Sequence, residues 1–239
     1  MRAFSFVIVT LTILSWPALT VAEDSAGTAY TSIKLLGAYA QVKGIEAAGS
    51  LSGPIFPSND ESDGKDLEDL IGGITAAVGY DFGRYRLELE YGWRYRFDLN
   101  GNVGRADPGP GRTATFRSEV ESQTLLLSLL WDFETDYSLL GYRLQPWAGI
   151  GVGVVKNKTD TNLFNFGISK ERDTNTEKST AWLLTAGSTV KLNERWSADI
   201  AYRYIDLGDV HIGPQSGGAE VSTSGMRSHD LTFGLIYRF

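Results

Sequence analysis

Apolar and polar residues alternate strictly over residues 84–98, "RYRLELEYGWRYRFD". From Tyr85 to Phe97 every second position is aromatic or leucine, and most positions between them are charged. A period of two over this length predicts a β-strand with one apolar and one charged face. A soluble barrel would turn the apolar face inward, whereas a membrane barrel would turn it outward and enclose the charges. The alternation alone leaves this choice open.

The same alternation recurs in seven other segments, at about 30–43, 72–83, 122–133, 146–155, 181–192, 196–205 and 229–239. The phase of the first segment is unclear, because Leu35 and Leu36 are adjacent. Short and long connections follow one another in turn, and the long ones cover roughly 44–70, 99–118, 156–179 and 206–228. This sorting predicts a barrel with all its long, solvated loops at one rim, which is typical of outer-membrane proteins. A soluble barrel has no physical reason for it.

The length and the ends of these segments also favour a membrane barrel. Each has about 10 to 14 residues, as many as a tilted strand needs to cross a bilayer. Aromatic residues lie near the segment ends, as in the interfacial girdles of membrane barrels: Tyr85, Tyr95, Phe97, Trp131, Phe133, Trp182, Trp196, Tyr204 and Tyr237. The fold class predicted is all-β, an eight-stranded antiparallel up-and-down transmembrane β-barrel.

The polar face of the strands would then line the barrel lumen. Its charges have both signs: Arg86, Glu88, Glu90, Arg94, Arg96, Asp199, Arg203 and Arg238, with Lys34 as a further candidate. An eight-stranded barrel is just wide enough for side chains to fill, and a buried unpaired ion costs several kcal/mol. We therefore predict a structural network of paired charges, with the glycine row Gly149, Gly151 and Gly153 making room for the arginines. An ion path along the same charges is the open alternative.

The N-terminus has the pattern of a signal peptide. Arg2 precedes an apolar run over residues 3–14, and Thr20 and Ala22 form a small-residue cleavage site. We expect residues 1–22 to be the leader and 23–239 the barrel domain; an N-terminal anchor or core helix is the alternative. The chain has no cysteine, which excludes disulfides and thiolate metal sites. Its net charge of -7, which becomes about -8 without Arg2, makes nucleic acid a poor partner.

No enzyme active site is predicted. The two histidines of the chain are His211 and His229. Ser228 precedes His229, but adjacent strand residues point to opposite faces, so the two side chains cannot form a nucleophile–base pair directly. No catalytic residue, metal site or cofactor is therefore expected.

The chain ends with "LTFGLIYRF", which resembles the C-terminal signal read by the outer-membrane assembly machinery, with Tyr237 and Phe239 as its aromatic positions. Three internal segments, "GYDFGRYRLELEYGWRY", "QPWAGIGVGVV" and "ERWSADIAYRYIDLGDV", resemble strand pairs of the opacity-protein-like outer-membrane β-barrel family. OmpA-type transmembrane domains belong to the same broad group. The resemblance covers essentially the whole chain after the leader. It is specific for architecture and weak for activity.

This resemblance implies a surface protein of a Gram-negative outer membrane, with both termini in the periplasm. Its expected partners are outer-membrane lipid, lipopolysaccharide, the assembly machinery and a host or extracellular ligand at the loops. The expected role is structural and interactive. A small pore or a hydrophobic-ligand transporter is the first alternative, a lipid A-modifying enzyme the second, and a secreted soluble barrel the third.

Overall fold

A computed structural model describes ten ranges of the chain: 27–43, 46–49, 55–57, 67–104, 113–139, 141–165, 168–208, 211–215, 219–222 and 225–239. In these ranges the chain consists of β-strands, turns and short extended connections. No helix within them is long and apolar enough to cross a membrane. The predicted signal peptide, residues 1–22, lies outside the described residues.

Eight long strands close into an antiparallel barrel, which confirms the predicted fold class. Numbered in chain order among all strands described, they are β1 (Thr28–Lys43), β4 (Leu67–Asp81), β5 (Tyr85–Gly104), β6 (Thr113–Asp132), β8 (Tyr142–Asn165), β9 (Ile168–Lys191), β10 (Trp196–Asp206) and β13 (Gly225–Arg238). Each of these strands pairs with the long strands before and after it, and β1 pairs with β13. The topology is therefore up-and-down, and the barrel is closed where its first and last strands meet.

Five short strands lie in the connections: β2 (Glu46–Gly49), β3 (Ile55–Pro57), β7 (Ser138–Leu139), β11 (His211–Gln215) and β12 (Ala219–Ser222). β11, β12 and β2 form a separate three-stranded sheet, which joins the first and the fourth of the predicted long loops. β3 pairs with the end of β5. These loops therefore contain paired strands of their own.

Two of the predicted long loops are largely strand, and this part of the sequence prediction was wrong. β5 and β6 continue to Gly104 and Thr113, and β8 and β9 continue to Asn165 and Ile168. The predicted loops at 99–118 and 156–179 thus leave only short connections. The prediction relied on an apolar face, which is needed only where a strand meets lipid. Beyond the lipid the strands remain hydrogen-bonded to each other although they have no apolar face.

The opposite rim has the short connections, the start of β1 and the end of β13. Asp81 Oδ1 accepts a hydrogen bond of 2.8 Å from the N–H of Gly83, whose φ of 94° lies in the left-handed region open to glycine. Asn193 Oδ1 caps the next tight turn by accepting backbone N–H groups two and three residues later. The N–H of Phe239 donates to the carbonyl of Ala29 at 3.1 Å, so both ends of the barrel are held at this turn-side rim.

The outer wall carries an apolar band between two aromatic girdles. The turn-side girdle contains Phe82, Tyr85, Trp131, Phe133 and Trp196, and the loop-side girdle contains Tyr39, Trp93, Tyr95, Trp182 and Tyr202, all exposed. The band between them presents Ile33, Leu35, Val78, Leu87, Leu89, Leu125, Leu127, Leu129, Ile150, Val152, Leu184, Ile200, Leu231, Phe233 and Leu235. From Tyr85 to Tyr95 a strand tilted by roughly 40° rises about 26 Å, close to the height of a bilayer's apolar core.

This arrangement answers the question of orientation that the alternation left open: the apolar face points outward and the charged face inward. It also fixes the phase of β1, because Leu35 is 63% exposed and Leu36 only 5%.

Candidate functional site: the charged lumen

The lumen of the barrel contains a group of buried polar and charged side chains, which we call the lumen network. Its members are Tyr30, Lys34, Arg86, Glu88, Glu90, Arg94, Asp132, Trp147, Asp199, Arg203 and Asp230, all with less than a tenth of their surface exposed. They come from six of the eight barrel strands, so the network depends on closure of the barrel.

Two cations and two carboxylates meet at the centre of the lumen. Lys34 Nζ lies 2.9 Å from Glu88 Oε1 and 3.4 Å from Glu90 Oε2. Arg203 Nη1 lies 2.8 Å from Glu90 Oε1, an ion pair whose angles fall outside those of a hydrogen bond. Each carboxylate therefore has a cation beside it, which offsets the large desolvation energy of a buried ion.

Neutral side chains also donate hydrogen bonds to Glu88 and Glu90. The Tyr30 hydroxyl donates to Glu88 Oε2 at 3.1 Å, and the Thr75 hydroxyl donates to Glu90 Oε2 at 3.2 Å. Hydrogen bonds to ionised oxygens are stronger than neutral ones, and they fix the carboxylates in one arrangement.

A bidentate pair lies nearer the turn-side rim. Arg86 Nε and Nη2 donate to the two oxygens of Asp132 at 2.8 and 2.9 Å, and the Arg86 guanidinium lies 5.3 Å from the centre of the Trp147 ring. The Trp147 indole N–H in turn donates to Asp199 Oδ1 at 3.0 Å. The chain of contacts therefore runs from β5 through β6 and β8 to β10.

Asp199 differs from the other four carboxylates of the network. Trp147 and Thr189 both donate to its Oδ1, while its Oδ2 has no hydrogen-bond partner. The other four carboxylates each pair with a lysine or arginine, and among the described residues Asp199 has no cation within 4.0 Å. Asp199 is therefore the one carboxylate of the network that is held by neutral donors.

An ion pair and an apolar layer close the loop-side half of the lumen. Arg94 Nη2 donates to Asp230 Oδ2 at 2.5 Å, and neither side chain is more than 1% exposed. Further toward the loops the interior is apolar, with Val120, Ile205, Leu207 and Met226 all fully buried. Asn157 Nδ2 donates to the carbonyl of Leu207 at 3.1 Å, which ties the end of β10 to the barrel wall.

Little free space remains among these side chains. A cavity between Lys34, Glu88, Glu90, Trp147 and Arg203 has a volume of about 10 Å³. A single water molecule needs about 10 to 15 Å³, so this cavity holds one water at most. The centre of the lumen is therefore filled by side chains.

The structure brings together Lys34, the further candidate, and six of the eight other predicted network residues: Arg86, Glu88, Glu90, Arg94, Asp199 and Arg203. Arg238 lies instead at the turn-side rim, where its Nη1 donates to Ser197 Oγ at 2.6 Å and its Nε lies 3.9 Å from Asp81. The side chain of Arg96 is outside the described part. Its position in β5 lies within a register shift between Arg94 and Phe97, a local feature that strict alternation cannot predict.

The sequence analysis missed Tyr30, Asp132, Trp147 and Asp230. Asp132 and Asp230 fall in phase with the polar face of their strands, so the alternation could have identified them. Trp147 is in phase with the glycine row, and Tyr30 with Ser32 and Lys34. For Trp147 and Tyr30, the presence of an aromatic residue on the polar face of a strand was the available indication that the side chain lies in the lumen.

The glycine row does not accommodate the arginines as predicted. A Cβ atom at Gly151 would meet the side chain of Ser128, and one at Gly149 would meet Leu130. Glycines do make room for large lumen side chains elsewhere, because a Cβ at Gly79 would overlap the ring of Tyr30 and one at Gly234 would meet Lys34. These glycines lie directly opposite the residues they accommodate on the neighbouring strand.

None of the remaining candidate residues is a member of the lumen network. The Ser228 hydroxyl points inward and donates to Asp230 at 2.5 Å, while His229 points outward with its Nδ1 2.6 Å from the Tyr202 hydroxyl. Tyr237 packs edge-on against Phe239 at the turn-side rim, with ring centres 5.3 Å apart. The side chain of His211 is not among those described. The described residues contain no group of three or more His, Cys, Asp or Glu that could hold a metal ion.

Comparisons with known proteins agree with this architecture. The family model "Outer membrane protein beta-barrel domain" matches residues 7–239, so the chain belongs to this family and is a protein of the Gram-negative outer membrane. A search of curated proteins gives no match.

Similar solved structures include three outer-membrane proteins. Ail of Yersinia pestis, in complex with the heparin analogue sucrose octasulfate, is 14% identical with a TM-score of 0.44, covering 88% of this chain and 99% of its own. OprG of Pseudomonas aeruginosa is 16% identical with a TM-score of 0.41, and the match covers 90% of this chain and 99% of OprG. Neisserial surface protein A is 15% identical with a TM-score of 0.39, and the match covers 87% of this chain and 97% of that protein. Similarities this low carry no argument about ligands.

Proposed function

We propose that this protein is a structural and interaction protein of the outer membrane, with a sealed lumen and a loop-side surface that contacts other molecules. The observation that carries the proposal is the packing of the lumen. The ion pairs Lys34–Glu88, Arg86–Asp132 and Arg94–Asp230 are all buried, and the central cavity is about 10 Å³. Their role in this proposal is to stabilise the barrel.

The axial order of the lumen also supports a non-conducting barrel. An ion crossing the barrel would have to displace the bidentate Arg86–Asp132 pair, the central cluster around Glu90 and then the apolar layer around Leu207. A pore conducts when its binding sites release the ion as readily as they take it up. Buried pairs held at 2.8 and 2.9 Å are fixed partners and do not form such a sequence of sites.

The loop-side surface supports the interaction role. Four strands, β5, β6, β8 and β9, continue beyond the loop-side girdle, and the sheet of β11, β12 and β2 lies in the loops of the opposite four strands. A rigid wall that extends into water gives loops a fixed base, which is how binding surfaces are commonly built on β-scaffolds. This proposal places the turn-side rim and both termini in the periplasm.

Conductance in planar bilayers tests the sealed lumen. We expect the purified barrel to give no steady single-channel steps, while a general porin in the same bilayer does. Lys34→Gln is the informative variant, because it removes one lumen charge at the centre of any axial path. Steps in the wild-type protein whose ion selectivity changes in this variant would show that ions pass through the lumen, and the proposal would be wrong.

The proposed orientation is tested by cysteine labelling, which the cysteine-free sequence makes simple. Thr176→Cys places a thiol on the exposed outer wall of β9, and Arg195→Cys places one in an exposed tight turn. A membrane-impermeant maleimide added to intact cells should label the first and leave the second unlabelled until the outer membrane is opened. The reverse pattern would contradict the orientation.

A further inference from the structure

Three lysines form a basic patch on the outer wall, just beyond the loop-side girdle. This lysine patch consists of Lys156 and Lys158 on β8 and Lys178 on β9, with Lys156 and Lys178 exposed. Lys156 lies directly opposite Lys178 in the strand register, and Lys158 lies opposite Thr176. Opposite Cβ atoms in an antiparallel pair are only about 5 Å apart, so the three ammonium groups share one small area.

No carboxylate lies directly opposite Lys156 or Lys178 in the described strand register, where Lys156 lies between Gln123 and Lys178. No member of the lysine patch makes an ion pair or hydrogen bond within the described part of the chain. The acidic residue opposite Lys158 is Glu121, whose Oε1 instead accepts hydrogen bonds of 3.1 Å from both Trp93 and Gln123. Like charges directly opposite each other destabilise a sheet. An anion bound between Lys156 and Lys178 would remove this repulsion.

The height of the patch on the barrel indicates which anion. Trp182 belongs to the loop-side girdle. Lys178 lies four residues from it along β9, on the side of the loops. Four residues of a tilted strand rise about 10 Å, which places the ammonium groups just above the apolar core, at the level of the lipid headgroups. Arg227 at the same rim differs from these lysines in having an ion-pair partner, because its Nε lies 3.5 Å from Asp206 Oδ2.

We propose that the lysine patch binds the phosphate groups of lipid A in the outer leaflet. Lysine ammonium groups act as point charges for phosphate, and two or three of them around one site neutralise a doubly charged group. The inference rests on the proposed function in one respect, namely that the loop-side rim faces the outer leaflet. It adds a bound lipid and the residues that hold it.

Binding can be measured on the purified, folded full-length barrel in detergent micelles. Bis-phosphorylated lipid A is titrated and bound lipids are counted by native mass spectrometry, alongside lipid A with the same acyl chains but no phosphate. We expect the variant K156Q/K178Q to weaken binding of the phosphorylated form by about 10- to 30-fold, since a basic residue near an anionic lipid surface contributes about fivefold. K191Q is the matched control, because Lys191 is an exposed lysine of the same strand near the opposite rim.

Several outcomes would overturn the inference. Equal binding of both lipid A forms to the wild type, or equal affinity of wild type and K156Q/K178Q, would show that the patch does not recognise phosphate. Displacement of lipid A by low-millimolar inorganic phosphate would indicate a site for free anions. A K191Q variant weakened as much as K156Q/K178Q would indicate a general charge effect. Heat-modifiable migration on a gel verifies that each variant is folded, and the micelle assay is independent of orientation, which the cysteine labelling tests separately.

Discussion

The barrel has two parts that use the same backbone ladder in different surroundings. Between the girdles the outer face is apolar and the inner face is charged, as at Leu89 and Glu88. Beyond the loop-side girdle the outer face of the same strands is polar, with lysines at 156 and 178, while Asn157 and Thr159 are buried inside. The comparison shows that the apolar alternation reports the presence of lipid, whereas strand pairing continues wherever a neighbouring strand is available.

The interior differs between the two parts as well. Within the membrane part the inward charges other than Asp199 are paired with each other in low-dielectric surroundings, where an uncompensated ion is expensive. Toward the loops the interior becomes apolar around Ile205 and Leu207, and then polar at Asn157. We therefore expect substitutions to have their largest effects on the paired charges of the membrane part.

The largest effect is expected from breaking the most buried ion pair. Arg94→Met removes the ion-pair partner of Asp230, a carboxylate that is 0% exposed, so it should lower the free energy of unfolding by about 3–5 kcal/mol. Unfolding in urea with detergent, followed by tryptophan fluorescence and heat-modifiable migration, measures this change. Arg84→Met is the control, since Arg84 is an exposed arginine in the turn before β5, and its effect should stay within about 0.5 kcal/mol.

A second variant separates loss of the pair from loss of a side chain. Arg94→Met combined with Asp230→Leu removes both charges, and it should recover most of the stability because no buried ion is left uncompensated. If the double variant is less stable than Arg94→Met alone, the pairing argument for the lumen is wrong.

The next effect concerns the outer face, and it contrasts the two parts directly. Leu127 lies in the apolar band between Leu89 and Val152 of the neighbouring strands. Leu127→Arg should destabilise the barrel in lipid bilayers by about 2–4 kcal/mol, because it exposes a charge to the membrane interior. Thr176→Arg, on the outer wall of β9 beyond the girdle, should change the stability by less than about 1 kcal/mol, with Lys158 opposite it as the main source of repulsion.

The two changes are compared by urea unfolding in the same lipid vesicles. Equal destabilisation at both positions would contradict the assigned membrane boundary. A large effect confined to Thr176→Arg would place lipid against the extension and would move the apolar band toward the loops.

The membrane part was predictable from the sequence because its signal is physical and local. Lipid requires an apolar outer face, and a filled lumen requires a polar inner one, so Arg86, Glu88 and Glu90 could be assigned to one side from their spacing alone. The prediction of paired charges followed from strand number and the energy of burying an ion. Which charges face each other did not follow, because partners such as Arg94 and Asp230 are 136 residues apart.

The extension and the details of the site were not predictable in the same way. Beyond the girdle both faces are polar, so residues such as Lys158 and Thr159 carry no period-two contrast and were assigned to a loop. The role of Trp147 depends on a neighbour in another strand, as does that of Gly79 opposite Tyr30. Such relations depend on the shear of the closed barrel, which alternation within one strand does not encode.

The smallest effect is expected from shortening the extension itself. Replacing residues 161–173 by Asn-Gly would join Asp160 and Thr174, which are opposite in the ladder, through a two-residue hairpin turn. Because the apolar band and the lumen network are untouched, we expect the free energy of unfolding to change by no more than about 1 kcal/mol. A matched deletion on the turn side, residues 135–143, serves as a comparison, because it removes Thr135, whose hydroxyl donates to the carbonyl of Leu144.

Urea unfolding in lipid vesicles measures both deletions, and heat-modifiable migration verifies that the barrel is closed. If the shortened β8–β9 hairpin abolishes folding, the extension contributes to barrel formation and the two parts do not fold independently. If the shortened hairpin leaves the free energy of unfolding unchanged, the barrel does not require the paired strands above the membrane. Their role would then lie in the loop-side surface that they support.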